Sequence, residues 1–175
     1  MGITLEQLLA SRDARARHQR DLLGKYPGRS LVCMTVQLPG SVKRSDLSLR
    51  IAQAGVEAVR KAFSPEYEEL KDLETGYEGY FLVPMAPLEL KRLTCGIEDA
   101  HPLGRLMDID VLASAAAIAT QTRADAVIIS REDIGLPQRK CLLCERPARI
   151  CMRERAHAME ELLQEIERIV NNYIP

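Results

Sequence analysis

Residues 104–112 read GRLMDIDVL, a stretch in which apolar and acidic side chains alternate from Met107 onward. A period of two is typical of a strand that buries one face. We therefore predict a strand over 104–112, with Ile109 and Val111 directed toward the core. Asp108 and Asp110 then project side by side from the opposite face.

Further strands and helices are predicted on both sides of this segment. The strands lie over 30–38, 67–75, 77–85 and 127–130, the middle two forming a hairpin about Gly76. Helices are predicted over 4–25 with Thr4 as N-cap, from Ser45 to Ser64, over 87–98 after Pro87, and over 156–173. Helices interleaved with a hairpin predict an α+β fold, a mixed or antiparallel sheet flanked by helices, with helical segments at both termini.

Length and composition narrow the class of protein. The 175 residues, 46% of them hydrophobic, predict a single domain over 1–175, with 139–157 as a small appendage bound through Cys and His. A net charge of −1 argues against a general nucleic-acid-binding protein. The sequence contains neither an apolar segment long enough to span a bilayer nor a targeting segment, so we expect a cytoplasmic protein without a membrane partner.

The aspartate pair is the first candidate site. Adjacent carboxylates repel each other unless a cation neutralises them, and Mg²⁺ prefers one or two carboxylates together with substrate phosphates. His101 and Arg105 lie just upstream, where they could meet a phosphate chain held by that metal. The alternative is that Asp108 and Asp110 form only the solvated face of an amphipathic strand.

Cysteine spacing defines the second candidate site. Three of the five cysteines, together with one histidine, follow the pattern C-x2-C-x6-C-x5-H: Cys141, Cys144, Cys151 and His157. Three thiolates and an imidazole could close a tetrahedral Zn²⁺ site. Free cysteine is also among the most buried residue types, and Leu142-Leu143 would suit a buried helix. A structural zinc site and a set of core residues therefore both remain open.

Charge is distributed unevenly along the chain. Two stretches are rich in basic residues, 11–29 and 139–155, while acidic residues concentrate over 57–78. A polarised surface of this kind suits a polyphosphate ligand. Solvated helix faces would produce the same composition, so the pattern alone does not decide between the two interpretations.

Four blocks of sequence, in order along nearly the whole chain, resemble a known enzyme family. They are Ser11-Arg12-Asp13-x-Arg15, HPLGRLMDIDV at 101–111, Ile129-Ser130-Arg131 and LPQRKCLLC at 136–144. Together they are similar to the apo-citrate lyase phosphoribosyl-dephospho-CoA transferase family, CitX, also called citrate lyase holo-acyl-carrier-protein synthase. One departure is the Ala-rich stretch 114–125, which is longer than the turn expected before Ile129 and affects the register of Arg131.

The resemblance implies a nucleotidyltransferase-type enzyme with a nucleotidyltransferase-like sheet. Such an enzyme transfers the phosphoribosyl-dephospho-CoA group from its triphosphate donor to a serine of the apo acyl carrier protein, the gamma subunit of citrate lyase, and releases pyrophosphate. Asp108 and Asp110 would be the catalytic Mg²⁺ ligands, and one of them could accept the serine proton. The implied phosphate-binding residues are Arg105, His101, Arg12, Arg15, Arg131 and Arg139.

Two other functions fit parts of the same sequence. One is the equivalent transferase for another carrier protein, such as that of malonate decarboxylase. The other is a non-enzymatic binding module stabilised by zinc, in which the basic stretches hold a partner.

Overall fold

The sheet is built on β1 (Ser30–Val36), which lies between two other strands. The structure is a computed structural model that describes residues 2–118 and 126–174; residues 119–125 of the Ala-rich stretch lie outside the described residues. The remaining strands are β2 (Tyr67–Leu73), β3 (Gly76–Val83), β4 (Met107–Ser114) and β5 (Ala126–Ile129). Their order is β2-β3-β1-β4-β5, and every pairing is antiparallel.

Five α-helices in the described part of the chain accompany the sheet, as the α+β prediction requires. They are α1 (Leu5–Lys25), α2 (Asp46–Phe63), α3 (Pro87–Ala100), α4 (Ala148–Glu154) and α5 (Met159–Asn171). The predicted caps are confirmed: the Gln7 amide donates to the Thr4 hydroxyl at 3.2 Å, and the Ser48 amide donates to the Ser45 hydroxyl at 3.2 Å. Each cap satisfies an amide that has no partner inside its helix.

The two faces of the sheet contribute to different hydrophobic clusters. One face contributes Phe81, Ile109 and Val111 to the larger hydrophobic core, which includes residues of α2 and α5. The other face meets α1, where Leu22 and Leu23 pack on Leu112 and its neighbours in a smaller cluster. Because side chains two apart in a strand share a face, Asp108 and Asp110 lie on the α1 side with Leu112.

Three expectations from the sequence differ from the structure. The strand predicted over 104–112 begins only at Met107, because Gly104–Leu106 forms a 3-10 turn. The helix predicted over 156–173 begins at Met159, and α4 precedes it as a separate helix that ends at Arg155 in a left-handed conformation, with φ of 50°. The run that contains Leu142-Leu143 is a loop and not a buried helix.

No helix in the two described ranges combines the length and the apolar character that crossing a membrane requires.

Gly104 permits the close approach of the 3-10 turn to the end of α3. A Cβ at this position would lie 2.4 Å from the Glu98 carbonyl oxygen and 2.7 Å from that of Ile97, and both are backbone atoms. The glycine therefore determines where the chain enters β4, which begins three residues after it and one residue before the first aspartate.

We expect Gly104→Ala to lower the free energy of unfolding by about 1–3 kcal/mol, because the backbone of α3 must move to admit the methyl group. Gly96→Ala is the matched control: Gly96 lies in α3, and a Cβ there would meet nothing within 4 Å. Better helix propensity should make that variant neutral or slightly stabilising. Urea unfolding of both variants measures the difference, and equal stabilities would contradict the close approach.

Candidate active site and metal centre

The two aspartates of β4 are half-buried on the α1 side of the sheet. Asp108 lies opposite Thr35 of β1, and Asp110 lies opposite Cys33. Burial, followed by repulsion from Asp108, raises the pKa of Asp110 from 3.8 to about 6. The pair thus combines oxygen ligands with an unfavourable negative charge, a combination that favours binding of a cation.

A third carboxylate lies in the same row of side chains. Glu78 of β3 is opposite Thr35, and Asp108 is opposite the same threonine from the other side. Glu78 is buried, lies 3.6 Å from Arg15 Nε, and accepts a hydrogen bond from the Tyr80 hydroxyl. Sequence reasoning missed this residue, because only the pairing of β3 with β1 places it beside the aspartate pair.

Helix α1 supplies the cationic side of the site. The charge of Arg15 acts against the raised pKa of Asp110, in addition to its contact with Glu78. Arg12, one turn earlier, is exposed, and its charge helps to lower the pKa of Lys43, although burial is the larger cause. A cavity of about 510 Å³ lies between α1 and the β2–β3 hairpin, and its lining includes Arg15, Glu78 and Tyr80.

Cys33 lies between Asp110 and Tyr80 in the sheet. Burial raises the pKa of the Cys33 thiol to about 12. A thiol in that state is protonated at neutral pH and is not a nucleophile. Cys33 is therefore a packing residue beneath the carboxylates.

Helix α3 holds the strand segment between the two aspartates. Pairing with β5 ends at Val111, so the backbone of Ile109 needs partners on that side. The Ile109 amide donates to Glu98 Oε1 at 2.9 Å, and Lys91 Nζ donates to the Ile109 carbonyl at 3.1 Å. Lys91 and Glu98 are both buried, and they satisfy backbone groups that would otherwise be costly to bury.

Arg139 is the second predicted arginine that reaches the carboxylates. Its Nη1 lies 3.7 Å from Asp108 Oδ1 and 3.6 Å from Glu98 Oε1. The same guanidinium donates to the carbonyls of Met107, Gly104 and Arg105 at 2.9, 3.1 and 3.2 Å. Arg139 thus binds both the backbone that leads into β4 and the region of the first aspartate.

The other predicted phosphate ligands contact protein groups. Arg131 donates to Asp99 at 2.7 Å and to Glu98 at 3.2 Å, and among the described residues its buried Nε has no partner. Arg105 donates to the carbonyls of Lys140 and Cys141 at 2.6 and 2.8 Å. His101 Nδ1 accepts from the Leu103 amide at 3.0 Å. A phosphate-binding role for these three residues stays a prediction.

The predicted Cys/His cluster is brought together in space. The potential ligand atoms of Cys141, Cys144, Cys151 and His157 all lie within 4.8 Å of one another. Cys144 Sγ is 3.5 Å from Cys151 Sγ and 3.3 Å from His157 Nε2. Ligands at tetrahedral corners around an ion with bonds of 2.0–2.3 Å are separated by roughly 3.5–3.8 Å. The cluster therefore has the composition and nearly the dimensions of a closed metal site.

The backbone of the cluster loop is also arranged like a metal knuckle. The Cys141 amide donates to the Arg146 carbonyl at 2.7 Å, and Lys140 pairs with Pro147 across the loop. Burial raises the pKa of the Cys141 thiol, but hydrogen bonds from the Leu143 amide, the Cys144 amide and neighbouring thiols outweigh it, so the net pKa is lowered. Cys141 therefore loses its proton more readily than an ordinary cysteine, and the thiolate is the form that binds a metal ion.

Comparison with known proteins gives a family match over almost the whole chain. The family model for apo-citrate lyase phosphoribosyl-dephospho-CoA transferase, CitX, matches residues 3–173. A probable apo-citrate lyase phosphoribosyl-dephospho-CoA transferase of Vibrio cholerae serotype O1 is 37% identical, over 99% of this chain and 94% of the relative. Apo-citrate lyase phosphoribosyl-dephospho-CoA transferases of Escherichia coli O157:H7 and Shigella boydii serotype 18 are each 35% identical, over 98% of this chain and 90% of the relative. The chain therefore belongs to the apo-citrate lyase phosphoribosyl-dephospho-CoA transferase family.

Proposed function

We propose that this enzyme transfers the phosphoribosyl-dephospho-CoA group from its triphosphate donor to a serine of the apo acyl carrier protein of citrate lyase. In this reaction the serine oxygen bonds to the α-phosphorus of the donor, and its proton passes to Asp108, Asp110 or a third carboxylate. The bond from that phosphorus to the bridging β-phosphate oxygen breaks, and pyrophosphate leaves with the electron pair. The observation that carries the proposal is the match to the family over residues 3–173. A non-enzymatic zinc module is not favoured by that match.

The carboxylate site supports a magnesium-dependent transfer. Asp108 and Asp110 would hold Mg²⁺, since they share one face of β4 and are ionised together only at a cost. Bound Mg²⁺ would supply the positive charge that a triphosphate and its pyrophosphate leaving group need. Arg15 and Arg139 flank the same carboxylates and would meet phosphate oxygens there. A nucleotidyltransferase-like arrangement of the sheet is part of this proposal.

The Cys/His cluster supports a structural role for zinc. Three thiols and one imidazole complete four ligands, so no coordination position is left open for substrate. Cys141 and Cys151 are buried, but neither they nor Cys144 belong to either hydrophobic cluster, which favours a role as ligands. We propose that the chain is a single domain in which residues 139–157 form a zinc-bound appendage.

The acceptor and the compartment follow from the same proposal. Carrier proteins are usually acidic, and exposed arginines of α1 and α4 would steer the encounter with such a partner: Arg17, Arg20, Arg149 and Arg153. None of the five cysteines, all of which lie in the described residues, forms a disulfide, and this fits the cytoplasm. Neither nucleic acid nor a membrane has a part in the proposed reaction.

We expect Asp108→Asn and Asp110→Asn each to lower kcat for transfer at least 100-fold, because each removes a metal ligand. The assay follows labelled donor into apo acyl carrier protein of citrate lyase, with that of malonate decarboxylase as the competing acceptor. Asp110→Asn should not lower the Tm at pH 8. The pKa of Asp110 is raised to about 6, so the ionised carboxylate destabilises the folded protein by about 3 kcal/mol, and the variant removes that charge. Undiminished transfer by the folded variants would contradict the magnesium assignment.

A pH profile tests the ionisation of Asp110 directly. Its pKa is raised to about 6, so the carboxylate is protonated below that pH and is then a poor metal ligand. We expect kcat/KM to fall below about pH 6 at low Mg²⁺, and the acidic limb to move to lower pH as Mg²⁺ is increased. A limb that does not respond to Mg²⁺ would show that another group controls it.

Cys144→Ser should release zinc, since it removes the thiol that lies nearest to both Cys151 and His157. We expect metal analysis of the purified wild type to find one zinc per chain, and the variant to have less zinc and a lower Tm. Cys95→Ala is the matched control, because Cys95 is buried in α3 outside the cluster and its loss should affect stability without affecting zinc content. A wild type without zinc would leave these cysteines as unligated thiols.

A further inference from the structure

The loop that contains the metal ligands and the backbone that enters β4 hold each other through two arginines. Arg105, in the turn before β4, donates to the carbonyls of Lys140 and Cys141 at 2.6 and 2.8 Å. Arg139, at the start of the loop, donates in return to the carbonyls of Gly104, Arg105 and Met107. Each guanidinium therefore binds the backbone from which the other one projects.

One partner of this contact is itself a metal ligand. Arg105 binds the carbonyl of Cys141, and the amide of Cys141 closes the loop by donating to Arg146 at 2.7 Å. The Ala148 amide donates to the Arg139 carbonyl at 2.8 Å, which ties Arg139 to the first residue of α4. A metal that holds Cys141 to Cys151 would consequently restrain both ends of the segment 139–148.

The other partner of the contact leads directly to the carboxylates. Arg139 lies 3.7 Å from Asp108 and binds the carbonyl of Met107, the residue immediately before it. Its side chain is 19% exposed, so these contacts are screened from solvent more than those of a surface arginine. A planar guanidinium with five donors can satisfy three carbonyls and face a carboxylate at once, which an ammonium group cannot do.

We propose that the Cys/His metal centre positions Asp108, and that Arg105 and Arg139 transmit this effect as positioning residues. Metal binding orders the loop 139–157, the loop orders the two arginines, and these fix the backbone at the start of β4. For Arg105 this role replaces the predicted phosphate contact, since its guanidinium binds the loop carbonyls. The inference rests on the proposed function only where the transfer rate is the readout.

Zinc affinity provides a test that does not need the enzymatic reaction. Coupling between two sites is reciprocal. If zinc binding strengthens the contact between the loop and β4, breaking that contact must therefore lower the affinity for zinc by the same factor. We expect Arg105→Gln and Arg139→Gln each to weaken zinc about 10-fold in competition with a chelator of known affinity. Arg168→Gln is the control, because Arg168 pairs with Glu165 at the exposed surface of α5. Unchanged zinc affinity in both variants would overturn the proposal.

Hydrogen exchange and kinetics complete the test. Zinc-free protein should exchange amides of 101–110 about 10-fold faster, while the β2–β3 hairpin exchanges as before. With zinc bound, Arg105→Gln should lower kcat about 10-fold and change the KM for the donor less than about 3-fold. A raised KM, with kcat and amide exchange unchanged, would instead identify Arg105 as a phosphate ligand and refute the inference. A wild type that transfers nothing, but whose exchange responds to zinc, would refute only the proposed function.

Discussion

Two carboxylates that share one face of a half-buried strand repel each other, and much of the structure around β4 can be understood as a response to this repulsion. Burial and the neighbouring charge raise the pKa of Asp110 to about 6. The contacts that hold the strand in place include buried Lys91 and Glu98 from α3 and Arg139 at its start, while Arg15 pairs with Glu78 and its charge acts on Asp110. With these groups in place the pKa of Asp110 is still raised, which is one reason for proposing a cation at this site.

Burying charged side chains around β4 lowers the stability of the fold, but it places the groups needed for the proposed reaction. A core built only of packed apolar side chains would avoid the cost of desolvating Asp110, Glu78 and Lys91. Two buried charged residues, Glu98 and Lys91, instead bind the Ile109 amide and carbonyl, so they hold the backbone of β4 between the two aspartates. The apolar face of the same strand, through Ile109 and Val111, supplies the burial that keeps the charged face in position.

Local signals predicted much of the fold correctly. Thr4 and Ser45 cap the helices as expected, because a capping box involves only four consecutive residues. The strand boundary at Gly104 was wrong for the opposite reason: the 3-10 turn there depends on contact with the last turn of α3, which is not visible in the local pattern. The hydrophobic stripe of the last helix did not disclose the separate helix α4, whose end requires Arg155 in a left-handed conformation.

The sequence by itself determined which residues could do chemistry. The alternation around Asp108 and Asp110 puts both on one face, and the spacing of three cysteines and His157 defines a cluster, because both patterns follow from short-range geometry. Only the tertiary structure decided which other residues lie beside these side chains. The pairing of three strands places Glu78 in the same row of side chains as Asp108. Arg105 contacts the cysteine loop, although the sequence alone suggests that its positive charge would bind a phosphate. These contacts depend on strand pairing between distant parts of the chain and on the geometry of the guanidinium groups, and neither can be read from local sequence.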